Sequence, residues 1–338
     1  MKRIGIICPS EIAFRRFLPA LKEAGCFEYA GVAIASKEEF IGATDEILDK
    51  ERVKAQTFVN SYGAKIYEGY NTLIHSADID AIYLPLPPGL HYQWAKEAVL
   101  AGKHILVEKP CTTLFDNTED LLNTAKGKRL AVHENYMFAF HDQLEAVNAI
   151  VKSGEIGDVR LYRISFGFPM RAQNDFRYNK ALGGGALLDC GGYTLKYASL
   201  LLGPTAKMKY AQSNSIDGFN VDMYGSAALV NDEGVTAQVA FGMDHNYKCE
   251  LEVWCSKGTL YTNRILTAPA GFTPEVLIRK GNDEERRTLP ADDAFKKSIL
   301  HFSRCIEEAD VREDNYHSLL KQAMLVEEFK ELSGLNIQ

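Results

Sequence analysis

The first 110 residues alternate short apolar runs with helical stretches, and that rhythm admits few folds. Strands are expected over residues 3–7, 29–35, 65–67, 81–84 and 105–107, and helices over 11–24, 50–62 and 90–101. The first helix carries apolar residues at Ile12, Phe14, Phe17, Leu18 and Leu21. Strands that alternate with helices imply βαβ units and a parallel sheet. From about residue 130 the texture changes. A strand over 131–133 and a helix over 143–153 precede longer alternating strands at 159–168, 206–213, 225–230, 235–243, 248–255, 258–263 and 275–279. Their Asn/Asp/Gly turns point to a mostly antiparallel sheet. One helix over 186–202 interrupts it, and helices over 293–309 and 317–333 end the chain. A nucleotide-binding α/β domain (1–122) followed by an α+β domain with a large, mostly antiparallel sheet (123–338) is the simplest assembly.

Composition narrows the function classes. A length of 338 residues allows two domains, and a net charge of −7 argues against a nucleic-acid or membrane-surface partner. No run of about 18 uncharged apolar residues exists, so no membrane span is expected. Met1 is followed almost at once by the apolar run from Ile4 to Ile7, leaving no room for a signal peptide, and a cytoplasmic location is expected. The seven cysteines are odd in number and lack a Cys-x-x-Cys pair. They read as reduced thiols, with neither a disulfide frame nor a metal site.

Glu108-Lys109-Pro110 closes the apolar run 103–107. A parallel strand delivers its C-terminal residues to the rim where open α/β sheets bind ligands. For three residues alone, a surface ion pair is the commoner explanation. Further marks change that balance: the helix segment 12–21 with Arg15-Arg16, Pro85-Leu86-Pro87-Pro88 with His91, Glu134-Asn135 with Phe138, and the glycine run 183–185 leading to Asp189 and Tyr193. In this order and spacing the chain resembles the Gfo/Idh/MocA oxidoreductases, over almost its whole length. Arg15-Arg16 and Tyr193 look most like the branch of sugar ketoreductases, dihydrodiol dehydrogenases and glucose-fructose oxidoreductase. The resemblance implies a Rossmann domain first, a substrate and oligomerisation domain second, and hydride transfer between a nicotinamide and a sugar or sugar-derivative carbonyl or hydroxyl.

The stretch matching the family's glycine-rich loop is Cys8-Pro9-Ser10-Glu11-Ile12-Ala13. Such glycines let backbone N–H groups approach a pyrophosphate at a helix N-terminus. Here two have become Cys8 and Ser10, and Pro9 supplies no N–H. Ser10 can still cap the helix, so cofactor binding is expected to survive. Loss of binding is the competing outcome. After the second strand the chain has Ser36-Lys37, where an acidic residue would select NAD. A hydroxyl and an ammonium suit a 2′-phosphate, which favours NADP(H), with NAD(H) as the alternative; a lone lysine in such a loop is often no more than a solvated cation. The resemblance places Pro85, Leu86 and Pro87 beside the adenine and ribose, His91 near the nicotinamide, and Glu108 and Lys109 against the cofactor.

Ketone reduction needs a hydride donor and a proton donor at the oxygen. Lys109 can stabilise that oxygen, and Tyr193 can deliver the proton, its phenolate form favoured by a neighbouring ammonium. Asp189 lies four residues before Tyr193, so on a helix the two side chains face alike. By resemblance, Lys109 and Tyr193 are the proton-transfer pair, Asp189 orients the substrate or Lys109, and Asn135, Phe166 and Arg177 line the sugar pocket. A tyrosine is more commonly just buried, and an aspartate just a cap or ion-pair partner. No histidine spacing suggests a metal, and hydride transfer requires none. The altered loop motivates a rival function, a non-catalytic NAD(P)-binding sensor or regulatory protein, against which the retention of both Lys109 and Tyr193 argues. Ala237, Val239 and Phe241, with Leu251 and Val253, mark a sheet face expected to form a homodimer or homotetramer surface.

Overall fold

The computed structural model describes residues 1–40 and 42–335. Six strands, β1 (Lys2–Ile7), β2 (Phe27–Ile34), β3 (Lys65–Glu68), β4 (Ala81–Leu84), β5 (His104–Val107) and β6 (Val132–Glu134), form one sheet in the order β3-β2-β1-β4-β5-β6. Every pairing in it is parallel. This is the doubly wound order, and its direction reverses between β1 and β4, where the strand ends open a ligand crevice. The helices α1 (Leu18–Ala24), α2 (Asp45–Tyr62), α3 (Tyr70–Ile74), α4 (His91–Leu100) and α5 (Phe115–Lys128) connect the strands. Isoleucine, valine and leucine of the central strands are fully buried, as a sheet covered on both faces requires.

The remaining elements are α6 (Asp142–Lys152), β7 (Val159–Gly167), α7 (Gly192–Leu202), β8 (Lys207–Asn214), β9 (Tyr224–Val230), β10 (Thr236–Gly242), β11 (Lys248–Cys255), β12 (Thr259–Asn263), β13 (Glu275–Lys280), β14 (Asp283–Thr288), α8 (Ala294–Glu307) and α9 (Ala309–Ser333). Strands β7–β14 form a second sheet, ordered β14-β13-β12-β11-β7-β10-β9-β8. Only β7 and β10 pair in parallel; all its other pairings are antiparallel.

The chain divides into two compact units, Met1–Asn135 with Phe295–Leu320, and Tyr136–Ala294 with Lys321–Gln338. The break falls after residue 135, beyond the expected 122, because β6 pairs with β5 and so belongs to the first sheet. The first unit also takes back a C-terminal segment. The last helix begins at Ala309 rather than 317; the charged stretch Asp310 to Asp314 hides its period. Strand β14, Asp-Glu-Glu-Arg-Arg-Thr, is a charged and largely exposed edge with no apolar alternation to betray it.

Ala237, Val239, Phe241, Leu251 and Val253 are buried at 0–2% exposure in the second unit's own core. The expectation that they form an open association surface is therefore wrong for these residues: α7 packs against β7 and β10. The opposite face carries Arg163, Gln238, Glu252 and the exposed Trp254. Among the described residues no helix is long and apolar enough to cross a membrane. All seven cysteines are free thiols.

Phe241 packs on Phe329 with ring centroids 5.4 Å apart. Phe241→Ala should cost about 3–5 kcal/mol of stability in urea unfolding; a loss under about 1 kcal/mol would return this side chain to an open surface.

Candidate functional site

β5 hands the chain to Glu108, Lys109 and Pro110, and the Lys109–Pro110 peptide is cis. Glu108 is buried, and its Oε1 accepts from the Tyr83 hydroxyl of β4 at 2.6 Å and from Asn135 Nδ2 at 2.7 Å. Burial pushes its carboxyl above the usual range, against the pull of Tyr83, Asn135 and Lys109. Glu108 thus faces inward and ties three strand ends together. Lys109, next along, is half-buried. Asn135 is 2% exposed and uses both amide ends inside the unit, on Glu108 and on the Ser298 hydroxyl. These contacts place it behind the rim, where it cannot line a sugar pocket.

His91 is fully buried at the start of α4. Its ring nitrogens lie 2.7 Å from the carbonyl oxygens of Pro110 and Leu86. Burial outweighs these acceptors and pulls its pKa down to about 4, so at neutral pH the ring donates through one nitrogen. It staples the loop after β4 to the loop after β5, a supporting position. Pro85 and Leu86 are buried and Pro87 is half-buried, leading into a single 3₁₀ turn over Pro88–Leu90.

The loop after β1 keeps a glycine-type backbone without the glycine. Cys8 sits at φ 75°, in the left-handed region. The Ser10 N–H donates back to the Cys8 carbonyl at 2.8 Å. The Ser10 hydroxyl accepts from Ala13 N–H at 3.2 Å, the expected cap. Glu11 and Ile12 stand in the first turn, where no preceding turn can accept their N–H groups. Glu11 itself is turned onto Arg15 at 2.6 Å. The Cys8 thiol is driven up to about 12, first by burial and then by Glu51, so it is a neutral packing group. The loop therefore keeps its turn and its helix cap, with no N–H at Pro9. Lys37 is exposed and pairs with Asp45 at 2.6 Å, and the Ser36 N–H donates to Glu39 at 2.9 Å. A 2′-phosphate there would have to draw Lys37 from Asp45.

In the second unit, residues 187–191 form one π turn that runs into α7. Asp189 sits in the π turn and Tyr193 in α7, so the simple four-residue helical spacing does not hold between them. Tyr193 is half-buried among aromatic rings: Tyr136 edge-on at 5.1 Å, Phe166 at 5.4 Å and Phe138 at 5.6 Å between centroids. Phe166, 7% exposed, is thus a wall behind Tyr193. Asp189 Oδ2 accepts from Arg177 Nε at 2.6 Å, and Arg177 Nη1 is 3.2 Å from Asp175. Asp189 and Arg177 are brought together as an ion pair, a pairing their types allow but their spacing did not announce.

The glycine run is explained by the backbone it touches. A Cβ on Gly184 would lie 2.4 Å from the Arg177 carbonyl, and one on Gly185 2.2 Å from Asp222 Oδ1. Asp222, which no sequence signal marks, organises this turn: its carboxylate accepts from Leu187 N–H at 2.6 Å and its carbonyl from Ala186 N–H at 2.8 Å. It lies in a loop without periodicity. Among the described residues no group of His, Cys, Asp and Glu could hold a metal ion.

The family model for an NAD-binding Rossmann-fold oxidoreductase matches residues 3–136, and the GFO/IDH/MocA C-terminal domain matches 144–261. The chain belongs to the GFO/IDH/MocA oxidoreductase family. A dTDP-3,4-didehydro-2,6-dideoxy-alpha-D-glucose 3-reductase of Saccharopolyspora spinosa is 35% identical, with 96% of this chain and 95% of that protein covered. Its counterpart from Streptomyces violaceoruber is 37% identical over 98% and 96%. The solved 3-ketoreductase KijD10 of Actinomadura kijaniata, in complex with NADP and TDP-benzene, superposes with a TM-score of 0.90 at 36% identity, covering 98% and 97%. This GFO/IDH/MocA protein is an NAD(P)-dependent oxidoreductase that transfers hydride to or from a sugar or sugar derivative.

Burial raises the Asp222 carboxyl to about 6. A folded pKa above the unfolded value means that the native state binds the extra proton, so stability from this group is present below about pH 4 and lost as pH rises through about 6. Asp222→Asn keeps an acceptor for Leu187 and cannot ionise. Compared with the wild type it should gain up to about 3 kcal/mol between pH 4 and 7 in urea titrations. Parallel pH curves for the two proteins would refute the assignment.

Proposed function

We propose that this protein is an NADPH-dependent ketoreductase acting on a nucleotide-linked keto-sugar. The observation that carries this reading is similarity across nearly the whole chain to dTDP-keto-sugar 3-reductases; the sequence also carries Lys109 and Tyr193. Family membership alone would fit free sugars as well. The complex of KijD10 with NADP and TDP-benzene supports both the cofactor and the nucleotide-linked substrate class, and Ser36-Lys37 fits a 2′-phosphate.

The dihydronicotinamide supplies the hydride when bound. The first turn after Ser10 offers N–H donors to the pyrophosphate, and the buried Pro85-Leu86 segment offers an apolar edge to the adenosine. Lys109 donates a hydrogen bond from its ammonium to the carbonyl oxygen of the sugar, stabilising the charge that develops there. Tyr193 gives that oxygen its proton. The aromatic rings around Tyr193 hold the phenol in one orientation and keep water from its ring faces. Asp189, held by Arg177 at 2.6 Å, orients the sugar. In this scheme Glu108, Asn135, His91 and Phe166 support these groups from behind.

NADPH oxidation followed at the nicotinamide absorbance, with dTDP-linked keto-sugars, tests the reading. Turnover with NADPH and a tighter Kd for NADPH than for NADH are expected; neither binding nor turnover would reject it. Lys109→Met should lower kcat by at least about 10³-fold and Tyr193→Phe by about 10²-fold with circular dichroism unchanged. Full activity in either variant would remove that residue from the chemistry.

The assembly we propose is a homodimer or homotetramer through the outer face of the second sheet, where Trp254 is 51% exposed and Arg163 lies over its ring. The seven free thiols suit a reducing compartment such as the cytoplasm. Light scattering should give a mass of two or four chains, and Trp254→Glu should lower it. A monomeric wild type would refute the association.

A further inference from the structure

Behind Glu108 runs a buried hydrogen-bonded chain that ends on β6 and draws in both C-terminal helices. Its polarity can be read from each end. Asn315 of α9 donates from Nδ2 to the Val132 carbonyl at 2.6 Å. Its Oδ1 therefore faces His133 Nδ1, at 2.8 Å. An amide oxygen only accepts, so Nδ1 carries a proton. From the other end, Asn135 Nδ2 donates to Glu108 Oε1, which leaves Asn135 Oδ1 to accept from the Ser298 hydroxyl of α8 at 2.8 Å. Serine has one proton, and it is committed there. Its oxygen must then accept from His133 Nε2, 3.0 Å away. Both ring nitrogens are donors, and an imidazole with two N–H groups is a cation.

We infer that His133 is held as a buried imidazolium by the chain Asn315–His133–Ser298–Asn135–Glu108, and that it positions the Glu108 carboxylate behind Lys109. The charges compensate: a cation sits at one end of a run of neutral amide and hydroxyl groups and an anion at the other, which is the arrangement that burial of Glu108 calls for. His133 is 2% exposed, Asn135 2%, Ser298 0% and Asn315 6%, so water does not compete for these bonds. Several groups packed around His133 bear on its charge. On its own strand Glu134 points to the opposite face, where it accepts from Cys111 N–H at 2.7 Å. From α8, His301 lies 5.2 Å away between ring centroids, with Phe302 at 6.3 Å. Burial and then Arg304 lower the affinity of His301 for its proton, outweighing Glu308 and a hydrogen bond to Asn315, so a second positive charge is disfavoured there. From α9 comes Asn315; Tyr83 of β4 stands level with Leu106 and His133 in the sheet register, and Glu108, two residues beyond Leu106, shares that face. His91 also faces two acceptors, but burial and the neighbouring Lys109 cation keep it neutral, whereas the chain from His133 ends on the Glu108 carboxylate.

The positioning role rests on the proposed ketoreductase chemistry; the charge state does not, and it is measured without substrate. The ring nitrogens of the full-length protein, labelled with ¹⁵N-histidine, are followed by NMR through pH 6–9. The chain has eight histidines, and His133→Gln removes the signals to be assigned. If that variant fails to fold, substituting the other histidines one at a time leaves His133 by elimination. Both His133 nitrogens are expected to stay protonated to at least about pH 8, above the ordinary value of about 6.5. A singly protonated ring at pH 7–8 overturns the inference. Ser298→Ala, which removes the acceptor, should lower the His133 pKa by about one unit or more, a tenfold loss of proton affinity; an unchanged titration removes Ser298 from the chain. For positioning, Ser298→Ala should lower kcat at least about fivefold at pH 7 and less at pH 6, where His133 recharges, with KM for NADPH unchanged. A pH-independent loss would mark Ser298 as a packing residue only.

Discussion

One buried carboxylate organises the first unit. Glu108 leaves water at the end of β5, and a charge in that position is costly unless hydrogen bonds replace its hydration. They come from Tyr83 on β4 and Asn135 just beyond β6, so three neighbouring strands are pinned at their C-terminal ends, the rim where a parallel sheet binds ligands. Lys109 is the next residue and inherits its placement. The lysine proposed for the chemistry is held by a neighbour whose own carboxylate faces inward.

Both candidate loops lead into helices that begin with a π turn, over Ala13–Phe17 and Leu187–Gly191. A π turn widens the helix by one residue and rotates the turns after it. In the second case it redirects Tyr193 relative to Asp189 and frees Asp189 for Arg177. In the first it comes after a loop in which Cys8 holds a left-handed backbone that glycine adopts without strain. The left-handed conformation stands here without glycine, which is why the loop fails as a sequence pattern and still closes as a tight turn.

Most of the strand framework was legible, because buried strands of a parallel sheet read as apolar runs and those of the second sheet alternate. β4 and β11 fall on their expected residues, and the family resemblance rested on motifs in that frame. The elements that escaped have physical reasons for doing so. β14 is an edge of charged residues with no inward face. The first two turns of α9 are charged outside, and their anchor, Tyr316 on the Leu130 carbonyl, is a contact remote in sequence. The inward turn of Glu108 and Asn135 came from partners on other strands, and the Arg177–Asp189 pair from a loop folding back. Asp222 had no neighbour in sequence to suggest that it carries the glycine turn. The core assignment of Phe241 needed the knowledge that α7 covers that face; alternation reveals that two faces differ and leaves open which one is covered.

Helix α9 belongs to both units, its residues through Leu320 to the first and those from Lys321 to the second. Phe295–Leu320 supplies Ser298 and Asn315, the partners of His133, at sequence separations of 165 and 182 residues. During synthesis the nucleotide-binding sheet therefore emerges from the ribosome with its polar interior open, and stays so until almost the entire chain has been translated. The amino-terminal half cannot mature as an autonomous module, and a nascent chain must carry its unfinished first unit while the second is being made.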